Sequence, residues 1–294
     1  MPYVLRQIGL FAASLIGAAI LAAGIDALTV PGATATAPAF FAALGAKLPG
    51  ILRFDFGLSP IAGQPALTAL APAFALTGQL LLAGAILTLA AGTPLGLVLS
   101  DEKIRNIAGP VLQAAGAVPI FCVAMVFAVV QGHSPGAPVE PGALLSVFSA
   151  DKATQANVLN HYFAPVLIVG LTGAGVLALS LWRALDVAME QPYRDGLRRM
   201  GLSERDILRG FAGRHALALT LKGLGDVLLA LFAGIAVVEW IFGWPGAGAQ
   251  FVHAVALEDW PEASAIVFVI ALLRIAADLI GGLAAGALLG WDNA

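Results

Sequence analysis

Six long apolar runs constrain this sequence more than any other feature. A helix needs about 20 consecutive apolar residues to cross the hydrocarbon core of a bilayer, which is ~30 Å thick. Hydrophobic residues make up 60% of the chain and charged residues only 11%, whereas a soluble domain carries about 25% charged residues. We therefore predict an all-α membrane protein with six transmembrane helices. The runs cover residues 8–30, 73–99, 110–131, 162–182, 218–242 and 263–290.

The first apolar run permits two interpretations. Arg6 precedes it and the small-residue sequence ATATA follows it, as in a cleaved secretory signal. At 23 residues the run is longer than the apolar part of a typical signal. We therefore expect residues 1–30 to form a retained first transmembrane helix. We expect Asp26, near the outer end of that helix, to reach water by snorkelling; a polar cavity is the alternative.

The remaining segments divide the chain around the membrane. Residues 31–71 are rich in Pro, Gly and Ala and predict an outer loop with a short helix. Residues 72–290 then form a five-helix core with a cytoplasmic segment at 183–215, and residues 291–294 form a cytoplasmic tail. Basic residues collect on the cytoplasmic side of membrane proteins. With a cytoplasmic N-terminus, eleven of the fifteen Lys and Arg residues fall on that side and three on the other. Both termini are therefore predicted to be cytoplasmic.

The polar, basic segment 190–215 interrupts the apolar sequence. Pro192 suits the first turn of a helix, where its missing N–H donor costs nothing. Apolar residues then recur at i, i+4 and i+7 and form one stripe; they are Tyr193, Leu197 and Met200. Gly201 stands where the residue after a helix adopts positive φ. Ser203 and Asp206 have the spacing of a capping box, which starts a new helix.

This segment is therefore predicted to form a short helix, a glycine corner, and a second helix that continues into the next apolar run. A short helix with one apolar face can sit in a groove of another protein or lie on the lipid surface. The residues of the segment alone leave both possibilities open.

Charged side chains occur in the apolar runs as two i, i+4 pairs. Arg274 and Asp278 lie on one face of the last predicted helix, and a charge at mid-membrane costs at least about 2.5–3.5 kcal/mol. We therefore expect an intramembrane ion pair between them, with a substrate contact as the alternative. Lys222 and Asp226 have the same spacing at the start of the fifth run, where we expect a solvated helix end.

The sequence lacks motifs for catalysis or for a cofactor. No glycine-rich loop ends in Lys-Ser or Lys-Thr, so we do not expect the chain to bind or hydrolyse ATP by itself. Its four histidines have no metal-ligand spacing, and its single cysteine, Cys122, excludes an intrachain disulfide. The apolar runs contain no Ser/His or paired-Asp arrangement. We predict that the protein is not an enzyme and that it holds no metal or cofactor.

The six runs with a cytoplasmic helix–Gly–helix segment resemble the permease subunits of bacterial ATP-binding-cassette (ABC) importers. More narrowly, the sequence resembles the dipeptide/oligopeptide/nickel permease family. The cytoplasmic signature of that family is matched by Tyr193, Arg198, Gly201, Leu202, Ser203, Glu204, Ile207, Leu208 and Arg209. The block VVEWIFGWPGAG matches it at Glu239, Phe242, Trp244, Pro245, Gly246 and Gly248. Smaller blocks match at Asp55, Gly57, Ser59, Trp260, Pro261 and Asp278.

The resemblance implies a type I importer permease fold in which residues 190–200 form a coupling helix held by an ATPase subunit. The coupling positions that it implies are Tyr193, Leu197, Arg198, Met200, Gly201, Leu202 and Ser203. The GWPGAG segment would form a periplasmic gate loop or, alternatively, a purely structural turn. The positions of this loop are Glu239, Trp244, Pro245, Gly246 and Gly248. We expect Glu239 to order the loop through hydrogen bonds, and the loop glycines to provide positive φ or close approach.

The resemblance also implies a set of partners in a bacterial inner membrane. They are a second permease subunit (by the family norm a paralogue), two ATP-binding subunits that hold ATP and Mg, and a periplasmic substrate-binding protein. The cargo would be a peptide or a related small solute. The competing hypothesis is a secondary transporter or channel that works without an ATPase. Such a protein needs ionisable groups along its pathway, and only Arg274 and Asp278 qualify.

Overall fold

The computed structural model describes residues 2–32, 34, 36–99, 101–116, 118–130, 152–190, 193–203 and 206–290. Within these residues the chain forms eleven α-helices and no β-strand. The helices are α1 (Pro2–Asp26), α2 (Ala37–Ile51), α3 (Ala66–Val98), α4 (Glu102–Gly116), α5 (Ile120–Val130), α6 (Lys152–Met189), α7 (Tyr193–Arg199), α8 (Gly213–Lys222), α9 (Leu224–Ile241), α10 (Ala247–Ala256) and α11 (Trp260–Leu289). A 3₁₀ turn, Ala27–Thr29, follows α1 and a π-helical segment, Ile207–Ala212, precedes α8.

Five helical segments are long and apolar enough to cross a membrane. They are Tyr3–Thr29, Ala66–Val98, Phe163–Met189, Leu224–Ile241 and Trp260–Leu289. These helices confirm the predicted all-α membrane protein and correspond to five of the six apolar runs.

The apolar run at 110–131 is divided, and the continuous helix predicted for it is wrong. Its first part is the end of α4, and its second part is α5, whose described residues number 11. Pro119 stands directly before α5. Proline lacks the backbone N–H donor and disfavours helical geometry in the residue before it, so the chain interrupts the helix at this point.

Helices α3 and α6 run parallel, with their backbones close together. An added Cβ atom on Gly92 would lie 2.9 Å from the Ala174 carbonyl oxygen, and one on Gly96 would lie 3.0 Å from that of Ala178. Small residues permit this approach between membrane helices. The same two helices share an apolar core with α5 and α9, formed by residues such as Leu80, Ala124, Ile168 and Ile235.

Helix α11 is the other organising element and packs against α1, α8 and α9. A Cβ atom added to Gly281 would overlap the Leu221 carbonyl group. One added to Gly282 would lie 2.9 Å from the side chain of Gln7. The Tyr3 hydroxyl donates a hydrogen bond to the Gly282 carbonyl oxygen, 2.9 Å away. Side chains at the start of α1 therefore contact the backbone near the end of α11 directly.

Asp26 does not snorkel to water, and that prediction is wrong. Its side chain is buried, and its Oδ2 atom lies 3.1 Å from the Lys47 ammonium. Lys47 belongs to α2, which folds back against α1 after a short turn. The carboxylate is thus paired with a cation from the neighbouring helix. The outer loop predicted at 31–71 therefore contains a 15-residue helix that covers the end of the first span.

The second helix of segment 190–215 enters the fifth apolar run at residue 218, as predicted, but ends before the membrane-spanning part of that run. Helix α8 ends at Lys222, and Gly223 separates it from α9. Lys222 and Asp226 lie on different helices, so their i, i+4 spacing does not place them on one helix face. The Asp226 side chain is 76% exposed, in agreement with the solvated helix end expected there. Asp226 accepts a hydrogen bond from Arg274 at 2.7 Å. A glycine at this junction removes the side chain that would otherwise favour a continuous helix.

Candidate functional site

The predicted coupling segment begins with the seven-residue helix α7. Gly201 follows it with a φ of +84°, as predicted. The Gly201 N–H donates to the Arg198 carbonyl oxygen at 2.9 Å, and the Leu202 N–H donates to that of Leu197 at 3.2 Å. These two bonds form a Schellman motif, which satisfies the last carbonyl groups of a helix and turns the chain away from its axis.

Ser203 starts the next element, as the sequence predicts. Its Oγ atom accepts a hydrogen bond from the Asp206 N–H at 3.3 Å, while its hydroxyl donates to the Asp206 carboxylate at 2.5 Å. The carboxylate therefore bonds to the Ser203 side chain and not to its backbone N–H, so the full capping box is absent. The turn at Gly201 and the cap at Ser203 are thus each held by hydrogen bonds between residues at most five positions apart.

The structure describes two of the three side chains in the apolar stripe of α7. Leu197 is half-buried and Met200 is 76% exposed, while the Tyr193 side chain lies outside the described part of the chain. Behind α7 the chain is anchored, because Ile207 and Ala212 are fully buried. Ala212 and Ala216 pack against the end of α6. The segment thus combines an exposed apolar side chain, Met200, with buried residues that follow it in the chain, Ile207 and Ala212.

The predicted gate loop lies between α9 and α10 and is organised by Glu239. The Glu239 side chain is fully buried. Its Oε2 atom accepts hydrogen bonds from the N–H groups of Gly248 at 2.7 Å and Ala249 at 3.1 Å. Glu239 therefore caps the N-terminus of α10, where the first N–H groups of a helix have no partner within the helix. This is the ordering by hydrogen bonds that the sequence predicts.

The glycines of this loop have two different roles. Gly243 adopts a φ of +66°, which most residues avoid. Gly246 and Gly248 have ordinary φ values, but a Cβ atom on either would overlap the Glu239 carboxyl group. Trp244 is 1% exposed and belongs to the apolar core shared by α3, α5, α6 and α9. The loop is therefore packed into the protein body.

Thr77 completes this site, and sequence analysis missed it. Its hydroxyl donates to Glu239 Oε1 at 2.5 Å and accepts a hydrogen bond from the Ala247 N–H at 2.7 Å. Thr77 lies on α3, 162 residues before Glu239. The sole sequence signal is a polar residue within an apolar run, which is too common to identify a partner.

Two of the smaller sequence blocks come together beside the start of α11. The Ser59 hydroxyl donates to Asp259 Oδ2 at 2.5 Å, and Asp259 Oδ1 accepts from the Glu262 N–H at 3.2 Å. Phe56, from the same loop as Ser59, packs against Phe268 with ring centroids 5.6 Å apart. Residues near positions 55–59 and 260–261 therefore form one structural unit that begins the last span.

Arg274 contacts two carboxylates. Its Nη2 atom lies 2.7 Å from Asp226 Oδ1, and its Nη1 atom lies 3.5 Å from Asp278 Oδ2. Asp278 Oδ1 also accepts a hydrogen bond from the Gly225 N–H at 3.1 Å, near the start of α9. This cluster stands at one end of α9 and the Glu239 loop at the other, about 27 Å away for 18 helical residues.

The family of the chain follows from a comparison with known proteins. Residues 84–289 match the family described as "Binding-protein-dependent transport system inner membrane component". The chain belongs to that family. The match includes α7, the Glu239 loop and the Arg274 cluster, and it confirms the resemblance to ABC importer permeases.

Curated relatives of this permease are also transport permeases. SapB of Escherichia coli K12, named a putrescine export system permease protein, is 23% identical over 80% of this chain and 81% of its own length. CntB of Staphylococcus aureus, named a metal-staphylopine import system permease protein, is 24% identical over 79% and 72%. A putative peptide transport system permease protein of Brucella abortus is 27% identical over 81% and 75%.

Proposed function

We propose that this permease forms one half of the transmembrane pathway of an ATP-driven importer. A periplasmic binding protein delivers the cargo to the outer face, and two ATP-binding subunits act at the inner face. Those subunits hold ATP and Mg, and the permease itself catalyses no reaction. A second permease subunit, by the family norm a paralogue, completes the pathway in the bacterial inner membrane.

The observation that carries this proposal is the shape of the segment around Gly201. A seven-residue helix ends in a Schellman corner and presents the exposed apolar side chain of Met200. A single short helix gains little stability by itself, so an exposed apolar tip on a fixed corner suits a preformed cleft on a partner. The chain contains no ATP-binding loop of its own, which makes an ATPase subunit the fitting partner.

The proposed orientation assigns roles to the two ends of α9. The excess of Lys and Arg supports a cytoplasmic location for both termini and for α7. The Glu239 loop then faces the periplasm, where it would act as the gate beside the binding protein. Movement of α7 in the ATPase cleft would reach α9 through α8 and the junction at Gly223.

The cargo that fits this proposal best is a peptide or a related small solute. The names of three relatives that are similarly distant from this chain specify putrescine, metal–staphylopine and peptide. Such variety on a shared permease sequence fits a system in which the binding protein selects the cargo. Identifying the ligand of a co-purifying binding protein would determine the cargo directly.

The coupling role is tested by Gly201→Val in the assembled transporter, reconstituted in liposomes with its partner subunits. A β-branched residue resists positive φ, and that geometry costs about 1–2 kcal/mol. We expect the variant to insert and to hydrolyse ATP, while transport falls by about tenfold or more. The matched control is Gly196→Val, because an added Cβ atom there meets nothing within 4 Å and its φ is not positive.

Two outcomes would contradict the proposal. One is full transport by Gly201→Val, which would show that the corner is not needed for coupling. The other is failure of the gently extracted wild-type permease to co-purify with any ATPase when its partner subunits are co-expressed. Transport without a bound ATPase would instead favour a secondary transporter, in which Arg274 and Asp278 would lie on the pathway.

A further inference from the structure

A cavity of about 410 Å³ lies between the first half of α1, the end of α8 and the second half of α11. Its polar lining comes from Gln7, Ser14, Lys222, Arg274 and Asp278. Its apolar lining comes from Leu10, Phe11, Ile275 and Leu279. The cavity therefore offers both charged and apolar lining, as an amphiphile requires.

The charges around this cavity are only partly paired. Arg274 is shared by Asp226 and Asp278, so that cluster carries one surplus negative charge. Lys222 forms no ion pair with a carboxylate among the described residues. Its ammonium lies 6.0 Å from the centroid of the Tyr3 ring. The lining alone carries one net positive charge, because Asp226 lies outside it. With Asp226 included, the charges sum to zero and leave a free cation at Lys222 and a surplus carboxylate beside Arg274.

The cavity opens toward the surface that α1 presents to its surroundings. Leu10 lines the cavity and is 52% exposed. In a membrane protein such an apolar surface faces the acyl chains of lipids. Lys222 stands at the end of α8, directly before the membrane helix α9. Lysines at the ends of membrane helices reach the headgroup level.

We propose that this cavity binds one phospholipid with a zwitterionic headgroup that carries a primary ammonium, as phosphatidylethanolamine does. The phosphodiester accepts hydrogen bonds from the Lys222 ammonium and from the Gln7 amide. The headgroup ammonium donates to the Asp278 carboxylate, and an acyl chain lies along Leu10 and Phe11. The leaflet is the cytoplasmic one in the orientation proposed above, while the binding itself is independent of the transport function.

Headgroup charge decides between the lipid classes. A phosphatidylglycerol headgroup would satisfy Lys222 but would leave the surplus carboxylate unmatched and repelled by the phosphate. A phosphatidylcholine headgroup carries a quaternary ammonium, which has no N–H to donate to Asp278. Only a primary ammonium beside a phosphate matches both ends of the cavity.

The test measures lipid retained by the assembled transporter in native mass spectrometry. The full permease with its co-expressed partners is mixed with equal amounts of phosphatidylethanolamine, phosphatidylglycerol and phosphatidylcholine that share the same acyl chains. We expect wild type to retain phosphatidylethanolamine above the other two. Lys222→Gln should lower that retention by about fivefold, the contribution of one basic residue near a headgroup.

Lys103→Gln is the matched control, because Lys103 is an exposed lysine at the start of α4 and does not line the cavity. It should retain as much phosphatidylethanolamine as wild type. If Lys222→Gln does not accumulate, Gln7→Leu preserves the volume and removes the amide, and it should lower retention by about threefold.

Three results would overturn the proposal. Equal retention of all three lipids would show that the headgroup is not recognised. Undiminished retention of phosphatidylethanolamine by both variants would place the lipid elsewhere. The absence of any retained lipid in the assembled transporter would indicate that a partner subunit fills the cavity. Because lipid is the readout, an uncoupled permease that still binds it leaves this proposal intact.

Discussion

Two helices of this permease follow directly after a glycine and have first-turn N–H groups bonded to a carboxyl group on another helix. At the start of α9, the Gly225 N–H donates to Asp278 of α11 at 3.1 Å. At the start of α10, the N–H groups of Gly248 and Ala249 donate to Glu239 of α9. In both places a Cβ atom on the contacted glycine would overlap the carboxyl group. The geometry is the same at both ends of α9.

The two caps differ in how the carboxyl group is compensated. Glu239 is fully buried, and its described partners are a hydroxyl and backbone N–H groups. Asp278 has a side chain that is 37% exposed and shares Arg274 with Asp226, which is 76% exposed. Neutral hydrogen bonds become stronger in a dry interior, whereas exposed ion pairs contribute about 0–1 kcal/mol. We therefore expect the Glu239 cap to contribute more to the free energy of unfolding than the Asp278 cap.

The largest effect should follow from Glu239→Ala. The change leaves two buried N–H groups and one hydroxyl without their acceptor, and each costs about 1–3 kcal/mol. We expect a loss of at least about 3 kcal/mol in unfolding by SDS titration. Glu239→Gln is the control, because it keeps the shape and one acceptor. A smaller loss of unfolding free energy for Glu239→Ala than for Asp278→Ala would contradict the proposed difference between the two caps.

Gly248→Ala should cost about 2 kcal/mol, because its Cβ atom would overlap the backbone of Ala236 and tightly packed sites relax poorly. Gly225→Ala should cost less, since there the Cβ atom meets the movable end of the Asp278 side chain. Gly17→Ala is the control for the glycine change itself, because nothing lies within 4 Å of that position. Thermal unfolding in detergent would rank the three, and equal losses at positions 248 and 225 would contradict the prediction.

Thr77→Val should cost about 1.5 kcal/mol, because it removes a bond to Glu239 and leaves the Ala247 N–H without a partner. Thr88→Val is the matched control on the same helix, since the Thr88 hydroxyl makes a single bond of 3.2 Å to the Gly170 carbonyl. It should lose about half as much. The same SDS titration measures both, and an equal loss would mean that Thr77 does not support the loop.

The smallest effect is expected for Arg274→Met, a loss below about 1 kcal/mol. Salt screens exposed charges, so the difference from wild type should shrink further in unfolding measurements at high ionic strength. The matched variant is Asp226→Asn, which removes the shorter of the two ion pairs and should behave alike. A loss as large as that of Glu239→Ala would show that the surroundings of Arg274 are dry.

Local chemistry explains which features could be predicted from the sequence. The positive φ of Gly201 and the cap at Ser203 depend on neighbours within a few residues, so the pattern determines them. Five apolar runs form spans because length and composition suffice for that inference. The ordering role of Glu239 was also predictable, because an acid beside a glycine-rich turn has few other ways to be satisfied.

The break in the run 110–131 has a local cause in Pro119, whereas the other features that were missed depend on contacts between distant parts of the chain. Asp26 is buried because α2 brings Lys47 to it. Asp226 pairs with Arg274, 48 residues away, because Gly223 interrupts the helix that would have joined it to Lys222. Thr77 reaches Glu239 across 162 residues. No periodicity or spacing in one sequence indicates such pairs.

The close approach of α3 and α6 has a mechanical consequence. At Gly92 the backbone of one helix meets the Ala174 carbonyl of the other, so sliding or twisting would drive atoms into each other. Helices α3 and α6 must therefore move as one rigid body whenever the protein changes conformation. Among the described residues, bending is left to places without such close contact, namely Gly223 and Pro119.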